Sequence, residues 1–395
     1  MAGTINVALI GSKFMGRAHS NAWLNVAKFF DVDPIPMMHT VVGRSAADLD
    51  AFSQRWGWQH TSTDWAAAVQ SPDIQLVDVA TPNDVHAEQA IAALEAGKHV
   101  ACEKPLAGTL ADAQRMADAA AGSVGQTFVW FNYRRVPAVA LAQRLVASGA
   151  LGRIYHARAA YLQSWGGPDT PLLWRFQGDV AGSGAHGDLN AHIIDLVRFV
   201  TGEEIVTVEG AIEHTFIEER DIVAGAAGGE IGGAGAETAG TKGRSTVDDA
   251  VLFLARLSGG ALASFEATRL ATGYQNANRF ELHGERGALR FDFERMNELH
   301  VYSLDDDAAV QGWHTIDVTR AGSNHPYVEA WWPDGHGLGY EHTFVNQASD
   351  ILATIGGGQP RCALPDFADA LQTQRVLHAA IASARHRAPV DLADI

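Results

Sequence analysis

The chain has 395 residues, 47% hydrophobic and 19% charged, an ordinary soluble composition long enough for two cores. A formal charge of −17 argues against nucleic acid and anionic membrane as partners. No apolar run reaches transmembrane length, the N-terminus shows no signal-peptide pattern, and two cysteines, Cys102 and Cys362, cannot make a disulfide framework, which predicts a cytoplasmic protein with free thiols.

Residues 5–10 read as a short apolar strand that runs into Gly11-Ser12-Lys13-Phe14-Met15-Gly16 and then a helical stretch to about Phe30. Strand, glycine turn and helix are the context that a dinucleotide fingerprint requires. Gly11 permits the tight turn and Gly16 the close helix–strand packing. Lys13 replaces the middle glycine of G-x-G-x-x-G, and its ammonium has the reach for a phosphate. Residues 30–36 read as a lengthened connection to a second strand at residues 40–43, after which Arg44 and Ser45 open a helix to about Trp56. An acid at this strand end would bind the ribose 2′-hydroxyl of NAD, and a nearby arginine would accommodate the 2′-phosphate of NADP. Gly43 leaves the acid's place empty, so Arg44 and Ser45 lean towards NADP.

Residues 76–80 form the next buried strand, followed by Thr81-Pro82-Asn83 and a helix that carries His86. The hydroxyl and open amides of that turn suit a dinucleotide, and Asn83 also suits a helix cap. A further apolar strand at residues 99–102 delivers Glu103-Lys104-Pro105 at its carboxyl end, the edge where open α/β sheets bind ligands. Pro105 stops the ladder. A helix over residues 110–121 and a strand over 127–131 complete this half. The alternation predicts a parallel sheet with right-handed crossovers, a Rossmann-type dinucleotide-binding domain of residues 1–132.

At Asn132-Tyr133-Arg134-Arg135 the pattern changes. A helix at about 137–148 and a long strand at 154–165 lead to Trp174-Arg175 on a loop, and then to an amphipathic helix over 188–199. Asp188, His192 and Asp195 lie on it at i, i+4 and i+7 and share a face. Residues from about Val223 to Arg244 form a Gly/Ala tract with scattered acids, which predicts a mobile insertion. From Asp248 to about Asp317 strand follows strand, with Gly284–Gly287 as a hairpin turn. This predicts a second domain, residues 133–395, of α+β type with a large, mostly antiparallel open sheet. Helices at 339–355 and 367–387 should cover one face. Val251, Phe253 and Phe265 supply apolar side chains to the other, which predicts a homodimer or homotetramer.

Three titratable groups suggest chemistry. Hydride transfer from an alcohol carbon needs a base for the hydroxyl proton and a cation for the developing alkoxide. His192 suits the base, since histidine titrates near neutrality. Lys104 suits the cation, and Asp188 can orient the imidazole. Tyr133, Gln163, Trp165 and Arg175 fall at the seam or at strand ends, where aromatic faces and fork-like donors suit a polyhydroxylated ring. Two alternatives stand beside this. A metal hydrolase would use His186, Asp188 and His192, with His336 and His342 expected nearby in space, but His186 and Asp188 are two apart and diverge on a helix, so no metal is expected. A nucleotide-sensing module without catalysis would predict loss of Lys104 or His192, and both are present.

Gly11-x-Lys13-Phe14-Met15-Gly16 followed by Ala18-His19-Ser20, Thr81-Pro82-Asn83 with His86, Glu103-Lys104-Pro105, and Gly187-Asp188-x3-His192-x2-Asp195 together resemble the glucose–fructose oxidoreductase and inositol dehydrogenase (Gfo/Idh/MocA) family over nearly the whole chain. The resemblance implies a Rossmann domain followed by an α/β domain with a large, open mixed sheet. It implies oxidation or reduction of a hydroxyl or keto group on a sugar, anhydrosugar or cyclitol with NAD or NADP, either released each turnover or kept bound and recycled. Lys104, Asp188 and His192 match the catalytic positions. Gly11, Lys13, Phe14, Met15, Arg44, Ser45, Thr81, Asn83, His86, Glu103, Lys104 and Asn132 are expected on the cofactor. Tyr133, Gln163, Trp165, Arg175, Asp188 and His192 are expected on the substrate. Phe14-Met15, Tyr133-Arg134-Arg135 and Trp174-Arg175 look most like the levoglucosan and pyranoside dehydrogenases of this family.

Overall fold

The computed structural model describes residues 3–223 and 238–395. The described residues up to Arg135, together with Gly339–Gln372, pack as one unit; those from Val136 to Leu338, together with Thr373–Ile395, pack as another.

The first unit alternates strand and helix: β1 (Thr4–Ile10), α1 (Phe14–Phe29), β2 (Ile35–Val42), α2 (Ala46–Trp56), β3 (His60–Ser62), α3 (Trp65–Gln70), β4 (Leu76–Val79), α4 (His86–Glu95), β5 (His99–Cys102), α5 (Leu110–Ala121) and β6 (Thr127–Val129). The strands form one parallel sheet in the order β3-β2-β1-β4-β5-β6. Val7, Ala8 and Leu9 of the central β1 have no exposure, as a strand covered on both faces requires. The chain leaves β1 in one direction for β2 and in the other for β4, so a switch point lies between β1 and β4. Gly11, Thr81 and Glu103-Lys104 follow the carboxyl ends of β1, β4 and β5, which brings the sequence motifs to one sheet edge. The second strand starts at Ile35, not at Thr40 as the sequence suggests. Pro36 is tolerated inside it because β3 pairs only with Thr40–Val42, so β2 has a free edge at Pro36.

The second unit opens with α6 (Pro137–Ala147), β7 (Ile154–Leu162) and a short α7 (Gly178–Ala181). One π turn (His186–Asn190) then leads into α8 (Ala191–Thr201). After β8 (Ile205–His214), β9 (Glu219–Val223) and β10 (Thr238–Arg244) pair as a two-stranded antiparallel ribbon. Of the expected insertion at 223–244, residues 238–244 pair with β9 as a strand despite their poor strand composition, while residues 224–237 lie outside the described residues. There follow β11 (Ala250–Leu257), β12 (Leu262–Thr268), β13 (Ala277–Gly284), β14 (Gly287–Asp292), β15 (Glu298–Ser303), β16 (His314–Asp317), α9 (Tyr340–Ile355), α10 (Phe367–His386) and β17 (Val390–Asp391). Nine of these strands make one sheet, β16-β15-β14-β13-β7-β12-β11-β8-β17, antiparallel except where β12 runs parallel to β7. The fold is thus α/β, with a parallel Rossmann sheet and a large, mostly antiparallel one.

Two expectations change. Helix α9 belongs to the first unit and packs on α1, with the rings of His19 and Phe344 5.6 Å apart. Val251, Phe253 and Phe265 are buried on the covered face, where the Phe253 and Phe265 rings stack at 4.5 Å. The open face carries the opposite parity, Leu252, Leu254 and Leu262. A strand's period of two makes a one-residue misreading swap the faces.

Candidate functional site

Gly11 has φ +115°, and a Cβ there would lie 2.4 Å from the Ala80 carbonyl oxygen; a Cβ on Gly16 would lie 2.2 Å from the Gly11 carbonyl oxygen. Both places need glycine. Lys13 stands at the N-cap of α1; no side chain caps the helix, and no acid lies in its first turn. The leading amides of α1 therefore suit an anion such as a pyrophosphate. The Lys13 ammonium is drawn elsewhere: Nζ lies 3.5 Å from Asp48 Oδ2, with both side chains mostly exposed. Ser45 caps α2, its Oγ accepting from the Asp48 amide at 3.3 Å, and Arg44 beside it is exposed. Phe14 stacks on Tyr340 with ring centres 6.3 Å apart, and Met15 is half-buried.

His86 is fully buried between two loops of this edge. Its Nε2 lies 2.9 Å from the Thr81 carbonyl, and its Nδ1 lies 3.2 and 3.3 Å from the Pro105 and Leu106 carbonyls. Burial lowers its pKa, while the facing carbonyls and Glu103 act in the opposite direction, and the ring sits between the turn after β4 and the turn after β5. Thr81 Oγ1 donates to Gln89 Oε1 at 2.8 Å. Asn83 starts a single 3-10 turn ahead of α4 rather than capping it. Asn132 Nδ2 donates to Thr343 Oγ1 at 2.8 Å, and the Tyr133 ring lies 6.4 Å from that of Tyr340.

Beneath Lys104 runs a buried chain of charges. Asp78, inside β4, accepts from Trp23 Nε1 at 2.7 Å and Trp130 Nε1 at 2.9 Å, and faces His19 Nδ1 at 3.0 Å. His19 Nε2 faces Glu103 Oε1 at 3.0 Å, and Glu103 Oε2 accepts the Lys104 amide at 3.1 Å. Burial alone would lower the His19 pKa, but Asp78 and Glu103 outweigh it and hold it up at about 9. The cationic imidazole thus offsets one of two buried carboxylates, and Glu103 pins the turn that carries Lys104. Lys104 itself is half-buried.

In the second unit, Asp188 lies in the π turn and His192 in the first turn of α8. The His192 ring packs against Tyr161 of β7, with centres 5.8 Å apart. Tyr161 Oη donates to Asn276 Oδ1 at 2.6 Å. Gln163 Nε2 donates to the same oxygen at 2.7 Å, and Gln163 Oε1 accepts from Trp165 Nε1 at 2.6 Å. The Gln163 amide and the Trp165 indole N–H are thus engaged by the protein, and Trp165 is left to offer its ring. Arg175 lies over Trp174, 4.5 Å from the ring centre. His186, the pivot of the hydrolase alternative, has Nε2 2.8 Å from the Leu377 carbonyl and Nδ1 2.9 Å from Asn190 Nδ2, so both ring nitrogens have partners in the chain.

Several members of these networks escape a reading by motif. Asp78 carried the clearest signal, an acid in the middle of an apolar strand, which demands buried donors. His19 and Trp23 are four apart on α1 and supply two of them. Asn276 stands just before β13, where no local pattern marks it.

Residues 5–131 match the model described as the oxidoreductase family, NAD-binding Rossmann fold, and residues 139–290 match the GFO/IDH/MocA C-terminal domain. Levoglucosan dehydrogenase of Pseudarthrobacter phenanthrenivorans is 41% identical over 99% of each chain. A crystal structure of an oxidoreductase domain protein from Kribbella flavida superposes with a TM-score of 0.91 at 47% identity, covering 99% of this chain and 100% of that one. A levoglucosan dehydrogenase complex with NADH and levoglucosan gives 0.90 at 39% identity, covering 98% and 99%. With both domain models matched and full-length relatives at this identity, the chain belongs to the Gfo/Idh/MocA oxidoreductase family.

Proposed function

We propose that the protein is an NAD(H)-dependent dehydrogenase that oxidises a ring hydroxyl of an anhydrosugar such as levoglucosan, or of a closely related pyranoside. The observation that carries this reading is full-length similarity to levoglucosan dehydrogenase, 41% over 99% of each chain; we assign the catalytic roles to Lys104, Asp188 and His192. The cofactor fits the first unit: two glycines that a Cβ would block, and an uncapped α1 with no acid in its first turn. Levoglucosan dehydrogenase is seen in complex with NADH, so the proposed cofactor is NAD(H), and the lean to NADP from Arg44 has no support. Bound NAD+ would supply the hydride acceptor.

In the proposed reaction His192 takes the proton of the substrate hydroxyl, and the Lys104 ammonium stabilises the oxygen as negative charge develops. Asp188 orients the hydroxyl and imidazole. Tyr133, Trp165 and Arg175 are each assigned to sugar binding, with the Gln163 amide setting the Trp165 ring. Cofactor contacts fall to Gly11, Phe14, Met15, Thr81 and Asn132, while Glu103 and His86 hold the loops. We also propose that the enzyme acts in the cytoplasm, where its two buried free thiols suit a reducing environment, and that it assembles as a homo-oligomer through the open face of the nine-stranded sheet. The test is a panel of levoglucosan, glucose, xylose and myo-inositol, each with NAD+ and with NADP+, read by absorbance of the reduced nicotinamide. The expected result is highest kcat/KM for levoglucosan with NAD+. Reduction with none of them would move the non-catalytic nucleotide sensor to first place.

A further inference from the structure

Arg269 immediately follows β12 and lies outside the sequence motifs, yet it touches three of the residues on which substrate recognition depends. Its Nη2 donates to Asp188 Oδ2 at 2.8 Å, with the Arg269 side chain 1% exposed and that of Asp188 26%. Its Nη1 donates to the Arg175 carbonyl at 3.1 Å. The guanidinium lies 4.9 Å from the centre of the Trp165 ring and 5.7 Å from that of Phe176. Its own carbonyl accepts from the Gly166 amide at 3.0 Å, which fastens the loop behind Trp165.

The surrounding charges explain why Asp188 is the acid that answers Arg269. A second buried guanidinium, that of Arg220, lies 3.7 Å from the Phe176 ring centre and donates to the carbonyls of Gly166, Gly167 and Thr170. Its acid is Asp249, 3.3 Å away, whose other oxygen accepts the amides of Phe216 and Ile217. Asp249 is committed to Arg220 and to that turn. A buried cation without an acid is costly, and the π turn at the start of α8 delivers Asp188 to Arg269.

We infer that Arg269 is a positioning residue for the proposed dehydrogenase, holding the Asp188 carboxylate, the Trp165 ring and the Arg175 backbone in one arrangement so that the sugar meets a preformed wall. The inference deepens the proposed function and rests on it. It depends on the planar fork of arginine, which serves a carboxylate, a carbonyl and an aromatic face at once. A lysine offers a point charge to Asp188 and nothing flat to Trp165.

The experiment compares Arg269→Gln, Arg269→Lys, Asp188→Asn and the double variant Asp188→Asn/Arg269→Gln, by steady-state kinetics on levoglucosan and by fluorescence titration with NADH. Arg269→Gln is expected to raise the sugar KM and lower kcat/KM by about 10- to 100-fold, the weight of one buried charge-assisted hydrogen bond. NADH affinity is expected to stay at the wild-type level, which a general loss of structure would not allow. Arg269→Lys should recover part of the loss. In the Asp188→Asn background the second change should add little, because residues acting as a unit are not additive. Equal losses from Arg269→Gln in both backgrounds, or a wild-type sugar KM in the single variants, would overturn the inference alone. Wild-type turnover by Asp188→Asn would sink the proposed role of Asp188 and the inference with it. If Arg269→Gln does not fold, Arg269→Lys decides: a raised sugar KM with intact NADH affinity supports the inference, and an unchanged KM or a parallel loss of NADH affinity overturns it.

Discussion

Asp78 is a carboxylate enclosed by apolar strands, and it is tolerable there because two indole N–H groups and a cationic imidazole face it. His19 makes that arrangement depend on pH. Its folded pKa of about 9 stands above the ordinary 6.5, so its pairing with Asp78 and Glu103 contributes fully below pH 6.5 and is lost as the pH climbs through about 9. The contribution is on the order of 3 kcal/mol. The urea midpoint of the wild type should therefore fall across that alkaline window, while the midpoint of His19→Gln, lower throughout, should stay nearly flat. A parallel fall in the variant would assign the effect to other groups. At the proposed chemical centre, His192→Asn should lower turnover by roughly 10²–10⁴-fold, the usual range for a positioned acid–base group. NADH binding should persist, because the glycine turn and α1 are untouched. Near-wild-type turnover would remove His192 from the mechanism.

Among the elements, the nine-stranded sheet raises the question of what covers its open face. Ile212, Leu252, Leu254 and Leu262 present exposures of 69%, 42%, 58% and 50% there, and Ile212 stands opposite Leu252 in register. Arg158 pairs with Glu281 at 3.6 Å on the same face, so both charge signs are available to a two-fold partner surface. Large exposed apolar patches are characteristic of interaction surfaces, which is the basis of the proposed homo-oligomer. Light scattering at micromolar concentration should show a dimer or a larger assembly, and Leu254→Glu with Leu262→Glu should shift it to monomer while NADH binding survives. A monomeric wild type would rule out this use of the sheet. The π turn is the other element of consequence. Such turns often mark functional sites, and this one carries Asp188 to the end of β12, where Arg269 waits.

For the whole molecule, the expected signature of the cofactor is a gain in stability. A ligand present at a hundredfold excess over its Kd stabilises the form that binds it by about 2.7 kcal/mol. NADH should therefore raise the melting temperature by several degrees, and NADPH at the same concentration by less. A larger shift with NADPH would restore the reading in which Arg44 selects the 2′-phosphate.

Much of this was legible in the sequence because it rests on local chemistry. The glycine turn between β1 and α1, the strand that ends in Glu103-Lys104-Pro105 and the hairpin between β13 and β14 each follow from a few adjacent residues whose backbone preferences agree. The alternation of strands and helices, then the unbroken series of strands, determined the fold class, because each pattern has few ways to bury its apolar side. Tertiary structure decided what depends on distant partners. It placed α9 on α1, paired β10 with β9, and set which parity of β11 and β12 faces outward. It joined Asp78, His19 and Glu103 into one buried network, and drew Lys13 to Asp48. It also brought Arg269 to Asp188, eighty-one positions away. Burying a charge requires an opposite charge or donors close in space, and no rule of spacing along the chain says where the fold will supply them.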